Sequence, residues 1–469
     1  MSPADILSRM ERALARRRPH EALWTEAYSY ALPGAGQRAQ LFDATAADAA
    51  EQLAASLLAE LTPPWSRWFG LAPAEGLAES AEAQAIAFAL EGTARILQRE
   101  LDRSNFAVEM HQAFLDLVIT GTGVILIEEA PLGEASALRF AAVPILSAVL
   151  EEDAAGRLTT IYRELRLSAE EITRRFPRAV LPPALSADPT ARQRVVEAVW
   201  PAGASTRYAA LLAPAGQEPL LLAEGSFAES PFIAFRWLKA PGEVYGRGPV
   251  IKALPDIRTA NRVVELILQN ASIACTGIWM AEDDGVLNPA TIELKPGAII
   301  PKAPGSAGLT PLAAPGSFDV SQILLDDLRR RIRAALLADR LAPPPSGKMT
   351  ATEVLERSAE TARLLGATYG RLQSELLTPL IARCLSILAR RGEVPPLLLE
   401  REGVRLCYES PLARVQGRAD AANTLLFLDA VARIGGAAAA QVDAASAARW
   451  LARTLGAPAE ILIPPAPQE

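Results

Sequence analysis

Between Tyr245 and Arg391 two amphipathic helical stretches flank an insert with no helical period, and this layout constrains the fold more than any other feature. From Pro249 to about Cys275, residues Leu254, Ile257, Asn261, Val264, Leu268 and Ser272 recur at spacings of three and four, which is one stripe of a helix. Pro255 lies near its start, so the first turn is expected to stand apart. Residues 276–318 are punctuated by Pro and Gly, with short strand candidates at 278–281 and 298–300. Asp319, with Gln322 three residues on, reads as the cap of a second helix. Its stripe is Val320, Ile323, Leu324, Leu328, Ile332 and Leu336, with Arg329, Arg330, Arg331 and Arg333 on the other faces. Pro343, Pro344 and Pro345 end it. The two helices and their β-containing tip make a hairpin. A loop with Ser346, Gly347 and the cation Lys348 follows. Thr350, with Glu353, then opens a long helix carrying Leu365, Tyr369, Leu372, Leu376 and Leu380. Pro379 inside that helix predicts a kink, because proline removes one donor and its ring clashes with the preceding turn.

Upstream, residues 3–31 read as helix, with Ile6, Met10 and Leu14 on one face and Leu23 and Tyr28 resuming it after Pro19. The run Arg16-Arg17-Arg18 reads as a solvated face. A second helix over 45–61 carries the stripe Ala49, Leu53, Leu57, Leu61 and stops at Pro63-Pro64. The aromatic cluster from Trp65 to Phe69 reads as core or subunit interface. Residues 79–121 read as helix again. From Gly123 to Trp237 short, β-branched or alternating segments predict a β region, with one helix opened by Ser168 and Glu171. A strand is expected at 404–408, then Ala-rich helix to about Leu455. The fold class is α+β, mainly helical.

The 469 residues suggest about three compact units. A net charge of −7 disfavours tight, sequence-independent DNA binding, which needs a basic surface. Cys275, Cys384 and Cys407 show no metal-ligand spacing and are expected as free thiols. The start lacks the order of a secretory signal, and the longest apolar run, 114–127, is too short to span a bilayer. A soluble protein made in the cytoplasm is expected, with no membrane partner.

Catalytic sets are missing from the sequence. His20 and His111 are isolated, and neither GxSxG nor a Walker A lysine occurs. Thr120-Gly121-Thr122-Gly123 resembles the start of a phosphate loop but lacks the third glycine and leads into a strand, so a tight turn is expected. The acidic clusters Glu128-Glu129, 151–153 and 282–284 lack the spacing of a calcium loop. Neither a catalytic residue, nor a metal, nor a cofactor is expected.

Several stretches share an order across nearly the whole chain. They are Leu41-Phe42-Asp43-Ala44-Thr45; Leu61-Thr62-Pro63-Pro64 with Trp68-Phe69; Tyr245-Gly246-Arg247-Gly248-Pro249; Leu254-Pro255-Asp256-Ile257 with Asn261; Leu294-Lys295-Pro296-Gly297; Met349-Thr350-Ala351-Thr352-Glu353-Val354; and Tyr408-Glu409-Ser410-Pro411-Leu412-Ala413-Arg414. In these the chain resembles the portal proteins, the head-to-tail connectors of short-tailed bacteriophages.

The resemblance implies a homo-oligomeric ring, commonly of twelve subunits, at one capsid vertex of the virion and assembled in the host cytoplasm. It implies a wing over 1–245, continued by the long kinked helix and returning strand of 350–412. It implies stem helices at 246–275 and 319–341, a clip at 276–318, a tunnel loop at 342–349 and a crown over 413–469, here reduced. The implied partners are the major capsid protein, the packaging motor (terminase), tail adaptors and, weakly, double-stranded DNA in the lumen. The implied work is DNA packaging and ejection. Arg258, Arg262, Arg329, Arg330 and Arg333 are the stem charges, and most of them are expected to pair across subunits with Asp326, Asp327 or Asp256. Lys348 is the cation of the tunnel. Another phage neck or adaptor ring, or a nucleic-acid-processing enzyme, stays open as an alternative.

Overall fold

The computed structural model describes residues 1–34, 41–64, 66–73, 81–182, 190–214, 217–276, 279–281, 304, 309–311, 318–338, 366, 368–395, 404–408, 411–435 and 442–455. Its first helix, α1 (Pro3–Ala31), begins with a reciprocal cap between Ser2 and Asp5. It crosses two β layers. Ile6, Met10 and Ala13 pack on one face of a five-stranded antiparallel meander, against Val149, Tyr162, Val196 and Leu211. The meander is β4 (Ala148–Glu152), β5 (Leu158–Leu167), β6 (Gln193–Ala202), β7 (Ser205–Leu212) and β8 (Leu220–Phe227), in that order. Further along α1, Trp24 packs on the three-stranded sheet, against Val124, Leu126, Phe232 and Ala234. The central strand of that sheet is β2 (Thr122–Glu129), flanked by β3 (Leu138–Ala142) and β9 (Phe232–Arg236). The face resumed after Pro19 therefore centres on Trp24, with Leu23 only partly covered.

The basic run of α1 is not uniformly solvated. Arg17 is buried, donates to the Ala148 carbonyl at 2.8 Å and pairs with Glu21 at 2.8 Å. A charge inside a helix turn can face the core when carbonyls at a neighbouring layer accept its donors.

The main core is helical. It gathers α2 (Thr45–Leu61), α3 (Ala81–Arg103), α4 (Phe106–Thr120) and the long helix described below. Residues 79–121 are thus two helices, broken at Ser104 and Asn105, whose side chains bond backbone instead of continuing the helix: Ser104 donates to the Leu101 carbonyl, and the Asn105 amide pairs with Phe140. Trp68 and Phe69 are core. Phe69 opens a strand, β1 (Phe69–Pro73), that aromatic content alone concealed. It pairs with β12 (Val404–Tyr408), as Phe69↔Tyr408 through Pro73↔Val404. The helix α5 (Ala169–Arg175) starts at Ser168 with the anticipated reciprocal cap.

Two helices then form the hairpin. The first, α6 (Pro249–Thr276), runs unbroken through Pro255. Proline forfeits one hydrogen bond there, but Leu254 and Ile257 beside it are buried, and packing outweighs the local loss. A short ladder of β10 (Trp279–Ala281) with β11 (Leu309–Pro311) lies in the insert. The second, α7 (Phe318–Ala335), begins a residue before Asp319 and ends well ahead of the proline run, followed by Leu337 at φ 57° in the left-handed region. The candidate strand at 298–300 and the whole segment 342–349 lie outside the described residues.

Beyond the hairpin, the described stretch from 368 is helical and contains a π-turn at Gln373–Leu377, before α8 (Thr378–Arg390) with Pro379 in its first turn, while the expected opening of this helix at Thr350 and Glu353 lies outside the described residues. Pro379, where a kink was expected, follows directly on this π-turn. The stretch Thr368–Arg390 is long and apolar enough to cross a membrane by length and composition. Yet Leu372, Leu376, Leu380, Ile381, Cys384 and Leu388 are fully covered by the protein core. The Ala-rich C-terminal part is two helices, α9 (Pro411–Ile434) and α10 (Ala444–Leu455), parted after Gly435, which takes φ 69°.

Candidate functional site

The root of the hairpin is the best-built polar region of the molecule. It starts from two glycine pairs. Gly121, at φ 90°, ends α4, and its would-be Cβ lies 2.3 Å from the Gly248 nitrogen. A Cβ on Gly246 would sit 2.0 Å from the Gly121 carbonyl oxygen, and one on Gly248 2.5 Å from the Val118 oxygen. Only glycine permits backbones this close. Gly246 N–H donates to Thr122 Oγ1 at 2.8 Å, and Trp237 N–H to the Gly121 carbonyl at 2.9 Å. The Thr120–Gly123 motif is therefore a tight turn whose Gly121 admits the start of α6, while a Cβ on Gly123 would lie 2.6 Å from the Phe235 ring and 2.7 Å from the Ala113 carbonyl oxygen. Just before, Tyr245 is buried against Trp24, and its hydroxyl accepts from Leu150 N–H at 3.0 Å.

The segment Leu41–Thr45 closes the opposite side. The Asn261 side-chain oxygen on α6 accepts from Phe42 N–H at 2.7 Å and Asp43 N–H at 3.2 Å. Asp43 in turn receives Arg329 Nε of α7 at 2.8 Å. Burial pushes the Asp43 carboxyl up, but bonds from Thr45 and Arg329 outweigh it and hold the group below the usual carboxylate range. One short motif thus joins both hairpin helices.

Four other arginines of the hairpin also have partners within the chain. Arg258 makes a two-pronged pair with Glu26 of α1, which raises its pKa by hydrogen bonding. Arg262 pairs with Glu265 at 2.6 Å, Arg330 with Asp327 at 3.4 Å, and Arg331 with Asp256 at 2.8 Å. Arg333 is exposed and carries no ion pair among the described residues. Asp256 and Asp327, expected to serve a neighbouring subunit, here pair within their own chain. Glu26 and Asp43 lie 232 and 286 positions from their arginines, so no local spacing signals them. The tunnel-loop residues Pro343, Pro344, Pro345, Ser346, Gly347 and Lys348 lie outside the described residues.

Away from the root, the helical stripes change character. Leu254, Ile257, Leu328, Ile332 and Leu336 are buried, whereas Leu266 and Leu268 on α6 and Leu324 on α7 are about half exposed and Ile323 is 71% exposed. The acidic clusters prove to be ion-pair partners. Glu128 pairs with Arg175, Glu129 with Arg390, Glu151 with Arg9, Glu152 with Lys239 and Arg236, and Asp153 with Arg157. The cluster at 282–284 lies outside the described residues. Among the described residues no three His, Cys, Asp or Glu side chains gather as a metal-ligand set.

A buried titratable pair went unread in the sequence. Tyr28 O–H donates to Asp116 Oδ1 at 2.8 Å, joining α1 to α4. Burial pushes the Asp116 carboxyl up to about 6, against the opposing bonds from Tyr28 and Ile145 N–H. The Asp interrupts an apolar run, which is the one signal available in sequence.

Comparison with known proteins follows the same lines. The family model described as bacteriophage head to tail connecting protein matches residues 4–462. The probable portal protein of Bordetella phage BPP-1 is 27% identical over 508 aligned positions, covering 98% of this chain and 88% of that one. The portal protein of Salmonella phage epsilon15 is 22% identical, covering 91% and 80% respectively. The portal protein of Escherichia phage T7 is 24% identical over 168 positions, 36% of this chain and 31% of its own. Among solved structures, a chain from the virion of a native gene transfer agent particle aligns over 91% of this chain and 92% of its own, with TM-score 0.37 and 12% identity.

Proposed function

The chain belongs to the bacteriophage head-to-tail connecting protein family, and from that premise we propose how its parts serve a portal. Copies of the chain close into a ring, of twelve subunits, in which the hairpin of α6 and α7 is the stem. Residues 1–245 with the long kinked helix form the wing, 276–318 the clip, 342–349 the tunnel loop and 413–469 the crown. The observation that carries this reading is the hairpin itself. It is rooted by buried contacts and ion pairs, yet it projects apolar residues, Leu266, Leu268, Ile323 and Leu324, that its own chain leaves uncovered. In a ring, one such face meets a different face on the next copy, a head-to-tail contact that closes by rotation.

Charge fits the task of a sliding channel. A lumen that grips phosphate would stall DNA. The subunit is acidic overall at −7, so repeated copies repel the duplex, while one Lys348 per copy supplies a sparse belt of positive charge. Most stem arginines are occupied by carboxylates of their own chain, which removes them as phosphate clamps. Portal-family proteins are structural, and this chain is read as carrying no catalysis of its own. A separate packaging motor supplies ATP hydrolysis and docks at the clip, the wing meets the capsid protein, and tail adaptors follow.

Native mass measurement and end-on negative-stain imaging of the purified full chain test the ring. Closed annuli with a central hole support it, and a monomer or dimer at every concentration overturns it. Deleting residues 343–348 should leave ring mass unchanged and reduce DNA packaged or retained per particle. Unimpaired packaging after the deletion removes the assigned role of the loop.

A further inference from the structure

We propose that Arg236 is the positioning residue that holds the root of the hairpin to the helix that carries the π-turn, with Glu375 as its detachable arm. The role belongs to the single chain and stands whether or not a ring forms.

Arg236 ends β9 and is 1% exposed. Every N–H of its guanidinium is used. Nε donates to the Glu375 carboxylate at 3.2 Å. Nη1 donates to Glu152 Oε2 at 2.9 Å and to the Val244 carbonyl at 3.1 Å. Nη2 donates to Glu375 Oε1 at 2.6 Å and to the Gly156 carbonyl at 2.8 Å. The Arg236 backbone N–H adds a bond to Glu375 Oε2 at 2.9 Å. Four separate pieces of chain therefore meet on one planar group: β9, the β4–β5 turn, the connection that leads into α6, and the π-turn. A lysine offers three donors on a point charge and cannot reproduce the fork.

The connection is what makes this more than a stable core. Val244 lies just before Tyr245 and the glycines that seat α6. Arg247 N–H donates to the Leu238 carbonyl at 2.8 Å, so residues 238–247 form a closed loop springing directly from the strand that Arg236 ends. Glu152 is shared with Lys239 of the same loop, at 2.7 Å. Any loss of the Arg236 contacts loosens the loop that positions the hairpin.

Glu375 is the arm that can let go. It sits in the middle of the π-turn, where Thr378 N–H reaches back to Gln373. A change of one residue in helical register would swing its side chain by about 100° and withdraw it from Arg236. Arg371, one turn earlier, also reaches Glu375, at 3.4 Å, so the carboxylate is held by cations on both sides.

Amide hydrogen exchange on the full chain tests this. Glu375→Gln and Arg236→Lys should each speed exchange by about tenfold in two places at once, 237–248 and 368–377, read most directly at the Gly246 and Arg247 amides. Leu380→Ala, a cavity beyond the π-turn, should speed exchange in 378–390 and leave 237–248 unchanged. The proposal is overturned if Glu375→Gln acts only within 368–377, or if Leu380→Ala loosens 237–248 equally. Should Glu375→Gln fail to fold, Glu152→Gln probes the hub from its opposite side. Faster exchange in 368–377 then supports the role, and an unchanged rate there refutes it.

Discussion

The two halves of the hairpin share a sequence pattern and differ in everything else. Near the root, Leu254, Ile257, Leu328, Ile332 and Leu336 are sealed, and Asn261, Arg258 and Arg329 bond to Glu26 or to the Leu41–Thr45 segment. Toward the tip, the stripe residues Leu268, Ile323 and Leu324, with Leu266 beside them, are exposed, although Leu325 in the same turn is buried. An apolar stripe therefore states that a helix has a face. It does not state who covers that face.

The largest expected effect separates the halves. Leu328→Asp places an unpaired carboxylate at a site 4% exposed and should cost about 3–5 kcal/mol, seen as loss of folded protein in thermal unfolding. Ile323→Asp, on the same helix but exposed, should change monomer stability by less than about 0.5 kcal/mol. Under the proposed ring it should abolish assembly by native mass. Equal destabilisation by both would erase the distinction between root and tip.

Next in size is the glycine seat. Gly246→Ala brings a methyl into the Gly121 carbonyl and should cost about 3 kcal/mol by denaturant unfolding. Gly370→Ala, with nothing near its would-be Cβ and a helical position, should stabilise by about 0.5–1 kcal/mol. A neutral Gly246→Ala would mean the two motifs are not in contact.

A comparable effect depends on pH. The folded Asp116 pKa of about 6 exceeds its ordinary 3.8, so the folded chain holds a proton that the unfolded chain has released across that window. Stability from this group falls as pH rises from about 4 to 6 and stays low above it. Asp116→Asn keeps an acceptor for Tyr28 and carries no charge. It should gain up to about 2–3 kcal/mol over the parent above pH 6, and the gain should shrink toward pH 4. A gain that is flat with pH in chemical unfolding would show that Asp116 is not the titrating group.

The smallest effect contrasts two neighbouring arginines. Arg329→Ala strips the partner from buried Asp43 and should cost about 1–3 kcal/mol. Arg333→Ala should cost less than about 0.5 kcal/mol in the monomer. A thermal shift of the same size from both would place them in one environment.

Much of the architecture was legible in sequence because its causes are local. Helix α2, the capped α5, the β region, the strand 404–408 and both hairpin helices follow from spacing, caps and turn residues within a few positions. Errors gathered where the partner was remote. Arg17 reads as solvated until the Ala148 carbonyl is placed beside it. Phe69–Pro73 is a strand only because Val404–Tyr408 lies alongside. The break at Ser104 and Asn105 depends on Phe140. At the candidate site, the arginines read as charged helix faces, but Glu26, Asp43 and the Arg236–Glu375 pair were invisible.

The sequence by itself determined the periodic elements, the proline that interrupts a helix's hydrogen bonding, and the order of motifs that places the chain in its family. Hydrogen bonds spanning three to five residues encode these. Only the tertiary structure decided which half of each stripe is buried, which carboxylate each arginine holds, and why four glycines stand where they do. Many of those outcomes, such as Arg258 with Glu26, Arg329 with Asp43 and Gly121 against Gly248, depend on segments far apart in sequence meeting in space, and burial and ion pairing there are properties of that meeting, absent from either segment alone.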